Sequence, residues 1–227
     1  MKELILFDVD GVLLFSMEKA VTRLCQIIES VRLPFDMKTI ESNLGHDFNG
    51  VIIPLLAEAG SWSDSQTELV ALKIKYFFEN TRFCSPNSLP LKLSNLKLAG
   101  YKLGLVSNRN RRMMTKALDD MEVGADLFSL IKTREDNFMK PDPRVFEDIL
   151  EEFTVEKILF VGDSPICDLP AAYHGPHKID FAAISSRIYP KERFLSAGVP
   201  ENFIYGSVME VIDELLVLRE LMPKVTH

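Results

Sequence analysis

The chain has 227 residues, a formal net charge of −7 and 47% hydrophobic residues, enough apolar material for one core domain with a modest insertion. The acidic balance argues against nucleic acid as a main partner, because binding a phosphate backbone needs clustered Lys and Arg. Cys25, Cys84 and Cys167 show no CxxC spacing and read as free thiols in a reducing compartment. The apolar run from Met1 to Ser16 is interrupted by Asp8 and Asp10, unlike the h-region of a signal peptide. No uninterrupted apolar stretch reaches the length of a membrane span. A soluble, cytoplasmic protein with no membrane attachment is expected.

In chain order, the first element is a short apolar run from Leu4 to Asp8, which reads as a strand buried on both faces. The rhythm then changes to helix after helix. Met17 to Val31 places Ala20, Val21, Leu24, Ile27, Ile28 and Val31 at helical period. Val51 to Ala59 follows, with Pro54 tolerated in a first turn. Ser65 to Asn80 comes next, with Asp64 or Ser63 as its cap. Cys84 to Ser88 reads as a return linker. Beyond it, strands at Leu103 to Ser107, Phe128 to Ile131, Ile158 to Gly162 and Phe181 to Ile184 alternate with helices. Those helices are Met113 to Met121, Pro143 to Phe153, Leu169 to His174 and Val208 to Leu221. The pattern predicts an α/β fold, a Rossmann-like parallel-sheet core formed by residues 1–16 and 85–227. An all-helical domain of residues 17–84 is inserted after the first strand.

Four polar clusters stand where these strands end or between them: Asp8-Val9-Asp10-Gly11, Ser107-Asn108, Lys140-Pro141-Asp142-Pro143, and Gly162-Asp163-Ser164 followed by Asp168. Open parallel sheets bind ligands beyond the carboxyl ends of their strands. Each cluster alone is ordinary. A DxD starts many loops, Ser-Asn caps many helices, and Lys-Pro-Asp-Pro is a turn with Pro143 at a first helical position. In this order, on these elements, coincidence is a poor account. Asp8, Asp10, Asp163 and Asp168 together repel one another unless a cation sits among them. Mg²⁺ suits oxygen ligands and leaves room for water and a phosphate oxygen. Asp8 and Asp10 can be splayed apart by a turn at Gly11, so that one binds metal and attacks while the other reaches a leaving group. Ser107 and the amides near Asn108 are placed to bind phosphoryl oxygens, and Lys140 supplies positive charge.

These motifs resemble those of the haloacid dehalogenase-like hydrolase superfamily, over nearly the whole chain. Asp8-Val9-Asp10-Gly11-Val12-Leu13 is similar to its first motif, Ser107-Asn108 to the second, Lys140-Pro141-Asp142-Pro143 to the third, and Gly162-Asp163 with Asp168 to the fourth. The helical insertion resembles the C1 cap of phosphoglycolate phosphatase-like and β-phosphoglucomutase-like members. The resemblance implies phosphoryl transfer. Asp8 would be the nucleophile, and Asp10 the acid that protonates the leaving oxygen and then activates water. Ser107 would hold phosphate, Lys140 would steady Asp8 and the phosphoryl group, and Asp163 would bind Mg²⁺. Three positions depart from the usual pattern. The last acidic residue is Asp168, with Cys167 where many relatives carry it; position 12 is Val where Thr is frequent; position 15 is Phe where Asp is common.

The leading expectation is hydrolysis of a small phosphorylated metabolite by a monomer or homodimer. The alternatives are a phosphomutase, a haloacid dehalogenase, and a non-catalytic phosphate-binding regulator. Arg109, Arg111 and Arg112 are candidates for meeting a second anionic group, or simply a solvated helix face. Gly45-His46-Asp47 lies where relatives carry a specificity loop, which makes His46 a substrate-contact candidate. Trp62 is expected to pack within the insertion, and His174, His177 and the cysteines form no metal set.

Overall fold

The computed structural model describes residues 3–153, 157–175 and 179–221; His177 lies outside them. A six-stranded, all-parallel sheet runs β3-β2-β1-β4-β5-β6. Its strands are β1 (Glu3–Phe7), β2 (Lys102–Val106), β3 (Leu130–Lys132), β4 (Lys157–Gly162), β5 (Asp180–Ile184) and β6 (Ile204–Tyr205). β1 is central because its residues alternate in side while remaining apolar on both. Leu4 and Leu6 enter the core on one side of the sheet, and Ile5 and Phe7 enter the core on the other. Phe7 stands in register with Leu105 of β2 and Val161 of β4. The residues that follow these strands, Asp8, Ser107 and Asp163, therefore leave the sheet at nearly one level. This is the rim where the strand order runs outward in both directions from β1.

The chain between β1 and β2 is helical: α1 (Met17–Ser30), α2 (Met37–Glu41), a π-turn at Phe48–Ile52, α3 (Ile53–Gly60) and α4 (Asp64–Asn80). α1 buries Ala20, Leu24, Ile27 and Ile28, the face expected from its period, and packs on α4. Of the two caps considered for α4, Ser63 serves, in a reciprocal capping box with Gln66. Pro54 lies in the first turn of α3, where a missing N–H costs nothing. Trp62 is buried and donates Nε1–H to the Pro34 carbonyl at 2.8 Å, so it packs inside the insertion. The entering and returning segments are joined by a bond from Phe15 N–H to the Cys84 carbonyl, 2.8 Å.

After the return come α5 (Leu89–Leu98), α6 (Arg111–Met121), α7 (Glu147–Glu152), α8 (Asp168–Tyr173), α9 (Lys191–Ser196) and α10 (Val208–Leu221). The sequence reading missed α2, α5, α9 and β6, all short or weakly patterned. α5 reads Leu-Pro-Leu-Lys-Leu, which mimics strand alternation, yet Leu89, Leu93 and Leu96 share its buried face. The expected strand from Phe128 begins only at Leu130. The residues before it form a 3₁₀ turn at Ala125–Leu127, and Phe128 is buried as a core plug. The helix expected from Pro143 is split into a 3₁₀ turn, Pro143–Phe146, and α7.

Candidate active site

Asp8 follows β1, and its N–H donates to the Val161 carbonyl at 2.9 Å, which extends the sheet by one residue. Lys140, on the loop leading to α7, reaches into the same point. Its Nζ lies 2.7 Å from Asp8 Oδ1 and 2.6 Å from Asp168 Oδ1, and its side chain is 3% exposed. Asp8, Asp163 and Asp168 each bring a carboxylate oxygen within 4.8 Å of the others, all buried. Asp168 Oδ2 accepts from the backbone N–H groups of Asp163 and Ser164, at 3.0 and 2.9 Å. Its Oδ1 has no hydrogen bond of good geometry despite its closeness to Lys140. Three buried carboxylates that converge within 4.8 Å make a donor set that fits a hard divalent cation. Gly11 makes this packing possible. Its φ is +81°, and a Cβ there would fall 1.8 Å from Asp163 Oδ2.

Burial pushes the Asp8 carboxyl up to about 7; Lys140 opposes this, while Asp168 and Asp10 add to it. Asp163 is raised for the same reason, by burial first and then by Asp168 and Asp8. Burial alone would lower Lys140, but the carboxylates of Asp168 and Asp8 outweigh it and hold the amine protonated. Burial pushes the Cys167 thiol up to about 12, so at neutral pH it is an inert thiol.

Asp10, expected among the metal ligands, stands outside the group of three. Its carboxylate turns to Arg109, which grips it with Nε on Oδ2 and Nη2 on Oδ1, both at 2.6 Å. Ser16 Oγ donates to Oδ1 as well. Burial would raise this carboxyl, yet Arg109 and Ser16 bring it below its ordinary value. The turn at Gly11 thus does splay the two aspartates, and each meets a different cation.

Ser107 Oγ accepts from Arg109 N–H at 3.3 Å and retains its own proton to donate. The Asn108 carboxamide, unlike the nearby backbone amides expected to meet phosphoryl oxygens, has partners within the protein. Its Nδ2 donates to the carbonyls of Lys140 (2.9 Å) and Gly45 (3.3 Å), and its Oδ1 accepts from Lys140 N–H at 3.0 Å. That side chain clamps three segments together, which leaves it no spare donor for a ligand. The loop at Gly45 is further fixed by Tyr189 Oη, which donates to the Leu44 carbonyl at 2.9 Å, and by an Asp47–Arg134 ion pair at 2.5 Å. A cavity of about 340 Å³ opens between this loop and the sheet rim, bounded by Asp8, Asp10, Ser107, Lys140, His46 and Arg134 among others. Arg111 and Arg112 point away: they are 72% and 77% exposed and pair with Asp136 and Glu79.

The model of the haloacid dehalogenase-like hydrolase family matches residues 2–174. The chain belongs to the haloacid dehalogenase-like hydrolases. A curated relative, mouse haloacid dehalogenase-like hydrolase domain-containing protein 3, is 30% identical over 142 residues, 59% of this chain and 52% of its own length. The chain thus spans about half the length of that relative. Among solved structures, a hydrolase from Pseudomonas syringae superposes with a TM-score of 0.72 at 20% identity, over 98% of this chain and 100% of that one. A Haemophilus somnus protein described as a predicted phosphoglycolate phosphatase gives 0.70 at 19% identity, over 94% and 97%. At these identities the structures establish the shared fold.

In this haloacid dehalogenase-like hydrolase the sequence motifs bring Asp8, Ser107, Lys140, Asp163 and Asp168 to one rim. Sequence reasoning missed Ser16, whose partner Asp10 is six residues away, and Arg134 and Tyr189, whose partners lie far along the chain. It offers Arg109 only as a possible anion contact; an Arg directly after Ser-Asn is the sole signal. No described helix is long and apolar enough to cross a membrane.

Proposed function

We propose that this hydrolase cleaves a small phosphate monoester through a phosphoryl group carried on Asp8. The observation that carries the reading is the buried contact of Asp8 with Lys140, beside Asp163 and Asp168, at the floor of a small cavity. An Asp8 oxygen attacks phosphorus as the bond to the leaving oxygen breaks, and Asp10, ionised beside Arg109, takes the proton of the substrate's phosphate monoanion and passes it to that oxygen. Water then attacks the same phosphorus, Asp10 takes its proton, and the bond to Asp8 breaks to release phosphate. Ser107 and Lys140 bind phosphoryl oxygens through both steps. Mg²⁺ held by Asp8, Asp163 and Asp168 would neutralise charge on those oxygens. The test is release of nitrophenol and inorganic phosphate from p-nitrophenyl phosphate with Mg²⁺ present; phosphate binding without turnover would make the protein a binder instead. A phosphomutase would be exposed by dependence on a sugar bisphosphate activator.

Residues 17–84 act in this reading as a cap over the site. A cavity of about 340 Å³ is at the low end of small-molecule sites, which favours compact phosphorylated metabolites over phosphoproteins. His46 faces the cavity from the cap loop, and burial lowers its pKa, so it presents a neutral ring. His46→Ala is expected to reorder kcat/KM across a substrate panel more than it changes the rate on an aryl phosphate. Uniform loss on every substrate, or none on any, removes the loop from specificity.

Metal binding should be visible in stability as well. Asp8 and Asp163 have folded pKa values raised above their unfolded ones, so the stability they contribute is present at low pH. It is lost as pH rises toward and through about 7. A bound cation reverses that loss. The rise in Tm on adding Mg²⁺ is therefore expected to be larger at pH 8 than at pH 5. A pH-independent increment would argue against these carboxylates as its source.

A further inference from the structure

Asp8 and Asp10 are two residues apart, yet each is held by its own buried cation, Lys140 for Asp8 and Arg109 for Asp10. Arg109 is 7% exposed along its side chain and anchored on every side. Its Nη1 donates to the Met113 carbonyl at 3.3 Å, and its guanidinium lies 5.9 Å over the Phe83 ring. Its N–H donates to Ser107 Oγ, and its carbonyl accepts from Arg134 N–H at 2.8 Å. The grip on Asp10 is a two-point fork, which fixes the plane of the carboxylate as well as its position. The third donor to that carboxylate, Ser16, stands at the start of α1, where the helical insertion begins. Asp10 is thus tied to the sheet side through Arg109 and to the insertion through Ser16.

We propose that Arg109 is a positioning residue for the leaving-group step. Its fork anchors the Asp10 carboxylate to the loop that carries Ser107. The group that serves the leaving oxygen is thereby kept in fixed relation to the group that holds the phosphoryl oxygens. A movement of the insertion that pulls on Ser16 then leaves Asp10 in place. Charge alone would not do this, because a Lys ammonium is a point charge without a planar fork. The inference rests on the Asp8 phosphatase reading.

The test is single-turnover release of the leaving group from two substrates, an alkyl phosphate and p-nitrophenyl phosphate, with Mg²⁺. Nitrophenolate departs with little help from a proton; an alkoxide does not. Arg109→Gln and Arg109→Lys are both expected to slow alkyl release by roughly 10²-fold, the lower range for general acid help, and nitrophenol release by less than about tenfold. Equal losses on both substrates would mean a structural role only, and a wild-type ratio in Arg109→Lys would mean that charge suffices; either overturns the proposal. Because Arg109→Gln leaves Asp10 without its cation, a second comparison guards against misfolding. In an Asp10→Asn background, where no lone carboxylate remains, adding Arg109→Gln should slow alkyl release by no more than about twofold if Arg109 acts through Asp10. A further tenfold loss there overturns it. If the wild-type protein releases neither leaving group, the phosphatase reading itself fails, an outcome distinct from all of these.

Discussion

Asp8→Asn is expected to leave no measurable turnover while the protein stays folded. The amide keeps the shape of the carboxylate but is a poor nucleophile, and it cannot carry a phosphoryl group through a stable ester. Removing the nucleophile of a covalent mechanism costs on the order of 10⁶-fold. The fold should tolerate the change, because burial disfavours an ionised Asp8 and Lys140 keeps its second partner, Asp168, at 2.6 Å. An inactive protein with an unchanged or raised Tm, and no phosphoryl adduct by mass spectrometry where the wild type shows one, is the expected pair of results. Near-normal rates in Asp8→Asn would end the covalent mechanism for this chain.

Chelation is expected to abolish activity just as completely, and Mg²⁺ to restore it. Asp8, Asp163 and Asp168 crowd three carboxylate oxygens within 4.8 Å, and a phosphate dianion must approach that point. The one ammonium of Lys140 offsets only part of the charge of three carboxylates and a phosphate dianion. A divalent cation supplies the balance. Ca²⁺ should substitute poorly, because its longer bonds and looser shell would shift the carboxylates from the spacing that the packing of Asp163 against Gly11 imposes. The measurement is phosphate release in EDTA, followed by titration with each metal. Full activity in EDTA would detach the acidic cluster from catalysis.

Much of the site was legible because its residues sit at strand ends. An apolar run too short for a helix, closed by a carboxylate or a hydroxyl, marks where a buried parallel strand meets its rim. That signal located Asp8, Ser107 and Asp163. Lys140 and Asp168 were legible through the order of the motifs. The roles of Asp10 and Asn108 were less so. Asp10 was expected among the metal ligands, yet it is gripped by Arg109 and Ser16, and the Asn108 carboxamide is spent on Gly45 and Lys140. Which partner a polar side chain chooses depends on groups brought from far along the chain, here from positions 45, 109 and 140. The helical insertion was visible in its period, but short helices such as α2 and α9 were not, since one or two turns give too few repeats to read.

The sequence by itself determined the parallel sheet, the place of the helical insertion and the set of residues at the rim, because hydrophobic period and strand length are local properties. Only the tertiary structure decided how the charges pair. Lys140 went to Asp8 and Asp168, Arg109 to Asp10, and Arg134 to Asp47 at the cavity wall. Burial makes an unpaired charge costly, so each cation takes the carboxylate that folding brings beside it, and that choice is not written in the spacing of either residue.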